Sequence, residues 1–208
     1  MKKILLTGFE PFLSHPINPT EIIAKEFDGQ VIGDFKVYGR VLPVEFSRAS
    51  EELFAHVEEV EPDAVMLLGL AAGRHAITPE RIAINVNDGV KDNAGRTPID
   101  EPIELEGEDG YFSTLPVRTI VDSLHAKGIP ASVSNSAGTY LCNHVMYRVL
   151  HYIKNNDLKM RAGFVHLPPS FELVLKEPEL TGWPMETLFN GVKEMIHSLG
   201  GVHEWSQS

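Results

Sequence analysis

Strand-like and helix-like hydrophobic patterns alternate along this 208-residue chain from one end to the other, with no repeat, low-complexity tract or linker between them. Nothing else in the sequence constrains the fold as tightly. Strands joined through helices pair in parallel, and the helices then cover both faces of the sheet. Residues 3–7 form a buried strand. Asn18 as cap, with Pro19 at the first helical position, starts a helix that runs through Phe27. Residues 35–44 read as a strand, 47–60 as a helix with Leu53, Phe54 and Val57 on its apolar face, and 63–68 as a central strand. Residues 78–86 read as another alternating, β-branched strand. Pro116 opens a helix ending near Gly128, and 130–134 is the next strand. A helix from Cys142 to about Lys154 carries Val145, Met146, Val149, Leu150 and Ile153 on one face. The pattern closes with a buried strand at 161–167 and an amphipathic helix at 184–199. The fold class is α/β with a largely parallel sheet, organised as one domain spanning 1–208.

Charge and cysteine usage narrow the setting. A net charge of −11 argues against nucleic acid or an anionic membrane as partner. The apolar run after Met1-Lys2-Lys3 breaks at Thr7-Gly8, too short for a secretory signal, and no segment reaches membrane-spanning length. A single cysteine cannot form an internal disulfide, which fits a reducing cytoplasm. The acidic cluster between Glu101 and Asp109 reads as a solvated loop. Residues 87–112 lack periodicity, and a loop of that length in a compact domain commonly borders a site.

That single cysteine, Cys142, sits where a strand pattern gives way to a helix pattern, in Ser136-Ala137-Gly138-Thr139-Tyr140-Leu141-Cys142-Asn143-His144. Unpaired amides and the aligned peptide dipoles at a helix start favour a thiolate, the nucleophilic form. His166 stands at the C-terminal end of one strand, and Glu80 at the mouth of another. Ligands gather outside the carboxyl ends of strands in open α/β sheets. Thiol, imidazole and carboxylate converging there make the set that nucleophile activation requires. Taken singly, each has a plainer reading: a small buried hydrophobe, a structural histidine, a surface acid. The histidines fall in no ligand spacing for zinc, so no metal is expected. Gly69-Leu70-Ala71-Ala72-Gly73 lacks the phosphate-loop pattern and reads as close backbone packing.

Several long motifs in register resemble the type I pyroglutamyl peptidases, also called pyrrolidone-carboxylate peptidases. They are Gly8-Phe9-Glu10-Pro11-Phe12 with Asn18-Pro19, Glu80-Arg81-Ile82-Ala83-Ile84-Asn85, Tyr111-Phe112-Ser113-Thr114-Leu115-Pro116, the Cys142 motif, and Gly163-Phe164-Val165-His166-Leu167-Pro168. The resemblance implies a three-layer α/β/α sandwich similar to the phosphorylase/hydrolase-like fold, and a cysteine exopeptidase acting on peptides with N-terminal pyroglutamate. It also implies a catalytic triad of Cys142, His166 and Glu80, with no cofactor and no metal, and a homotetramer in the cytoplasm. By the same match Phe12 packs on the pyroglutamate ring, Asn18 holds the lactam, and Phe9, Tyr140 and Leu141 complete the wall. Two positions depart from the family pattern. Leu70 stands where many bacterial members have Gln, and Val90, followed by Lys91, stands where some have Arg. From the residues alone, two alternatives stay open: another small-amide cysteine hydrolase, and a non-enzymatic ligand-binding module on the same scaffold.

Overall fold

The computed structural model describes residues 1–12 and 15–200. Its elements in chain order are β1 (Lys2–Phe9), α1 (Pro19–Phe27), β2 (Val31–Ile32), β3 (Phe35–Leu42), α2 (Phe46–Val60), β4 (Ala64–Leu70), β5 (Thr78–Pro79), β6 (Ile82–Ile84) and β7 (Gly110–Phe112), followed by α3 (Val117–Ala126), α4 (Leu141–Asn155), β8 (Arg161–Leu167), α5 (Phe171–Val174) and α6 (Met185–Gly200). A six-stranded sheet has the order β2-β3-β1-β4-β8-β5, and β6 pairs with β7 in a separate two-stranded sheet. The four central strands β3, β1, β4 and β8 run parallel, while β2 and β5 close the two edges antiparallel.

Side-chain alternation along the central strands divides the core in two. Ile4 and Leu6 of β1, with Met66 and Leu68 of β4, pack with residues of α1, α3 and α6. Leu5 and Phe9 of β1, Val65 and Leu67 of β4, and Phe164 of β8 pack with α2 and α4 on the opposite face. The result is the three-layer α/β/α arrangement. Strands buried on both faces explain the near-continuous apolar runs of the sequence.

Local chemistry sets the element ends. Asn18 caps α1, its Oδ1 accepting from Thr20 N at 3.1 Å, and Pro19 follows at the first helical position. Glycine at position 8 lets the end of β1 approach that helix start, because a Cβ there would lie 2.0 Å from the Thr20 carbonyl oxygen. β3 ends at Leu42, two residues before the expected limit.

Two expectations need correction. Residues 78–86 are not one strand. β5 joins the main sheet, β6 joins the small one, and Glu80 and Arg81 bridge them. Proline at position 79 has no N–H to give a continued ladder. Residues 130–134 form no strand of their own. They make only isolated parallel bridges, Ala131 to Ile77 and Ser134 to Glu80. The segment runs alongside β5, which is itself only two residues long and offers too short a template for a full ladder. No described helix is long and apolar enough to cross a membrane.

Candidate active site

Cys142 is the second residue of α4, whose cap residue Tyr140 gives no side-chain cap hydrogen bond. The helix start therefore keeps its backbone donors clear of any capping side chain. Gly69 of β4 pairs in register with His166 of β8. Paired residues on neighbouring strands project to the same side of a sheet. A Cβ at position 69 would lie 3.0 Å from Cys142 Sγ and 2.6 Å from the Phe164 ring. The thiol and the imidazole thus share the α4 side of the sheet, in space that a glycine leaves open. The close-packing reading of this stretch holds at Gly69 but not at Gly73, where an added Cβ would meet nothing within 4 Å.

His166 Nδ1 lies 2.7 Å from Glu80 Oε1, and both residues are buried, Glu80 completely. Glu80 reaches the imidazole from the β5–β6 connection, where Thr78 pairs with the His166 backbone. Arg74 is a participant that the sequence patterns did not single out. Its Nη1 donates to the same Glu80 Oε1 at 2.6 Å and also to Thr78 Oγ1, and its Nη2 donates to Ser136 O at 3.3 Å. A lone arginine after a glycine carries no periodic signal, so only its contacts reveal it.

Electrostatics here run against the expectation of a ready thiolate. Burial pushes the Cys142 thiol up to about 12, and the Glu80 carboxylate adds to that rise. Arg74 and the residue's own amide pull the other way without prevailing. Burial also lowers the His166 imidazole, outweighing the hydrogen bond and charge of Glu80, which raise it. Desolvation penalises both charged forms. Burial thus favours the neutral thiol and the neutral imidazole, so the helix start alone does not ionise Cys142.

Beside the thiol opens a small cleft lined by Phe9, Phe12, Asn18, Val44, Leu70, Tyr140, Leu141 and Cys142. All five residues expected to form the substrate wall stand in this lining, together with Val44 and Leu70, which were not assigned there. No carboxylate is among them. The Asn18 side chain is largely committed. Oδ1 accepts from Thr20 N and from Thr20 Oγ1 at 2.8 Å, and Nδ2 donates to Glu10 O at 3.2 Å. What remains is one amide N–H, so Asn18 can offer a ligand a donor but scarcely an acceptor.

The 87–112 segment borders the cleft through Tyr140. Thr139 Oγ1 donates to Asp88 O at 2.8 Å, and a Cβ at Gly89 would lie 2.8 Å from the Tyr140 ring. Asn93 Nδ2 donates to Glu10 Oε1 at 2.9 Å and to Pro11 O at 3.1 Å, tying the segment to the loop that carries Phe12. Val90 is exposed at 55% and takes no part in the cleft lining. Glu101, Glu104 and Glu108 of the acidic cluster pair with Arg96, Arg148 and Lys154. Among the described residues, no three His, Cys, Asp or Glu side chains are arranged to hold a metal ion.

The family profile described as pyroglutamyl peptidase matches residues 2–200. A pyrrolidone-carboxylate peptidase from Halalkalibacterium halodurans is 51% identical over 197 residues, covering 94% of this chain and 98% of that protein. One from Thermococcus litoralis is 50% identical over 183 residues, covering 88% and 83%. The solved structure of the pyrrolidone carboxyl peptidase from Thermococcus litoralis superposes with a TM-score of 0.92 at 45% identity, covering 96% of this chain and 93% of that one. A mutant pyrrolidone carboxyl peptidase from Pyrococcus furiosus gives a TM-score of 0.92 at 45% identity, covering 95% and 97%.

Proposed function

The chain belongs to the pyroglutamyl peptidase family, and from that membership we propose that it removes N-terminal pyroglutamate from peptides through a thioester on Cys142. The observation that carries this reading is the cleft: a thiol at an uncapped helix start opens on aromatic and aliphatic side chains, with no carboxylate among the described lining residues. A flat, neutral lactam suits such walls. The remaining Asn18 N–H meets the ring carbonyl, and Phe12 packs on the ring face.

In this mechanism the thiol proton passes to His166 as Sγ attacks the carbonyl that joins pyroglutamate to the next residue. Burial favours the neutral form of both groups, so proton transfer accompanies attack rather than preceding it. Glu80 holds the ring through Nδ1 and offsets the charge that forms on it. Backbone amides at the start of α4 stabilise the developing oxyanion. His166 then protonates the leaving amine, and water, deprotonated by the same imidazole, hydrolyses the thioester. Apart from that water, every step uses groups of the chain itself. The reading carries with it a cytoplasmic enzyme, supported by the single thiol that a reducing compartment keeps free, and a homotetramer, supported by family resemblance.

The test pairs two chromogenic amides that differ only in the N-terminal ring. Pyroglutamyl amide is cleaved, and Cys142→Ser abolishes that cleavage while the circular dichroism spectrum stays native. Prolyl amide is a poor substrate, because its charged ring nitrogen enters uncharged walls and its missing carbonyl strands the Asn18 donor. Rejection on the order of 10⁴-fold in kcat/KM is expected of a site built to hydrogen-bond the absent group. Equal rates on the two amides, or an active Cys142→Ser, would overturn the assignment.

A further inference from the structure

Glu80 is the buried hub of this site, and its two oxygens differ sharply. Oε1 receives both His166 Nδ1 at 2.7 Å and Arg74 Nη1 at 2.6 Å, whereas Oε2 is buried with no partner among the described residues. A fully buried carboxylate served only by a neutral imidazole would be poorly compensated. We propose that Arg74 is a positioning residue: its guanidinium holds the Glu80 carboxylate in place, so that Glu80 in turn orients the His166 ring. The proposal rests on the catalytic reading of Cys142, His166 and Glu80 given above.

Geometry gives Arg74 the reach for this role. The residue follows β4 and ties together three other segments of the site. It bonds Thr78 of β5, the neighbour of the His166 backbone, then Glu80 beyond it, and finally the Ser136 carbonyl on the approach to α4. Its side chain keeps 27% of its surface in solvent, so the cation is partly hydrated while one nitrogen reaches into the buried site. Arginine suits this task because its fork of donors addresses several acceptors at once and stays charged.

The charged groups acting on the His166 ring are Glu80, from the β5–β6 connection, and Arg74, from the turn after β4; α4 contributes the ionisable Cys142 thiol on the same side of the sheet. Glu80 favours the imidazolium, and Arg74 opposes it. Arg74 also favours the Cys142 thiolate, which Glu80 opposes. A carboxylate without its guanidinium would leave the imidazole more readily protonated and the thiol harder to ionise. The first change leaves less free base at acid pH, and the second opposes loss of the thiol proton.

The experiment measures kcat and KM for a pyroglutamyl chromogenic amide from pH 5 to 9 in wild type, Arg74→Gln, Arg74→Lys, Glu80→Gln and the Glu80→Gln/Arg74→Gln double variant. Arg74→Gln lowers kcat by about tenfold or more with KM within about twofold, as expected for a group acting on the transition state. Its acid limb of kcat/KM moves to higher pH. Arg74→Lys returns that limb to the wild-type position while recovering only part of kcat. In the Glu80→Gln background the second substitution causes little further loss, because Arg74 acts through Glu80. The double variant also leaves no unpaired buried charge, so it decides the matter if Arg74→Gln does not fold. A wild-type kcat and pH profile in Arg74→Gln overturns the proposal, as does a double variant that loses the full additional factor. Wild type inactive on the pyroglutamyl amide would instead sink the underlying catalytic reading.

Discussion

At position 69 the strand carries only a hydrogen, and the proposed chemistry depends on it. An added methyl would press on the Phe164 ring at 2.6 Å and on Cys142 Sγ at 3.0 Å. The ring is packed at the sheet surface, so the thiol is the more movable neighbour. Displacements of about 1 Å in a reacting group can cost on the order of 100-fold in rate. Gly69→Ala is therefore expected to lower kcat on a pyroglutamyl amide by one to two orders of magnitude, roughly, while circular dichroism stays native. Wild-type turnover in that variant would show that the thiol needs no such clearance. Cys142, His166 and Glu80 were legible in the sequence because strand ends and a helix start announce where side chains converge. The five expected wall residues, which line the cleft, came from the family resemblance and not from any period in the sequence. Arg74 was not legible, since its role lies in which oxygen it shares. The direction of the Cys142 shift was misread because a helix start is visible in a sequence and desolvation is not.

Among the elements, α4 carries the largest share of polar burial. Asn143, completely buried beside Cys142, binds the backbone of the Glu80-bearing segment on both sides. Its Oδ1 accepts from Ile84 N at 2.9 Å, and its Nδ2 donates to Ile84 O at 2.9 Å and Val86 O at 3.0 Å. The side chain stands in for a neighbouring strand along the edge of β6. Asn143→Ala would leave one buried amide and two carbonyls without it, a loss of about 2–3 kcal/mol. Urea denaturation checks this, and a midpoint unchanged from wild type would mean that water replaces the amide at no cost. The same contacts explain which elements the sequence revealed. Long, two-sided apolar strands and amphipathic helices were readable from period alone. The 87–112 segment was readable only as a border, because it is held by side-chain bonds to backbone, such as Asn85 to Glu104 O and Tyr147 to Glu108 O. Those bonds have no period. The single strand expected at 78–86 failed at Pro79, where a β-branched pattern concealed a change of sheet.

Across the whole molecule, buried imidazoles tie stability to pH. His144 lies between Ser50 Oγ and Asn87 Oδ1, at 2.8 and 2.9 Å, and burial followed by the Arg96 charge lowers its pKa to about 4. His166 is lowered chiefly by burial, and so is the more exposed His151. An unfolded chain protonates its histidines near pH 6.5, whereas these folded residues resist the proton below that point. Between those limits the unfolded state binds more protons, so stability is full above about pH 6.5 and declines as pH falls toward 4. His144 alone accounts for about 2 kcal/mol of loss between pH 7 and 5, before ordinary carboxylates titrate appreciably. Urea midpoints measured at pH 7, 6 and 5 are expected to fall steadily in wild type. His144→Gln keeps hydrogen-bonding groups toward Ser50 and Asn87 but has nothing to protonate, so its midpoint falls less steeply whatever its starting value. A flat wild-type profile over that range would mean that protonated imidazoles are accommodated in the fold. An identical slope in His144→Gln would move the linkage to another residue. Because the His166 imidazole shares this depression, activity should persist at pH values where the fold has begun to weaken. In that range the acid limit on turnover is set by unfolding as much as by the base.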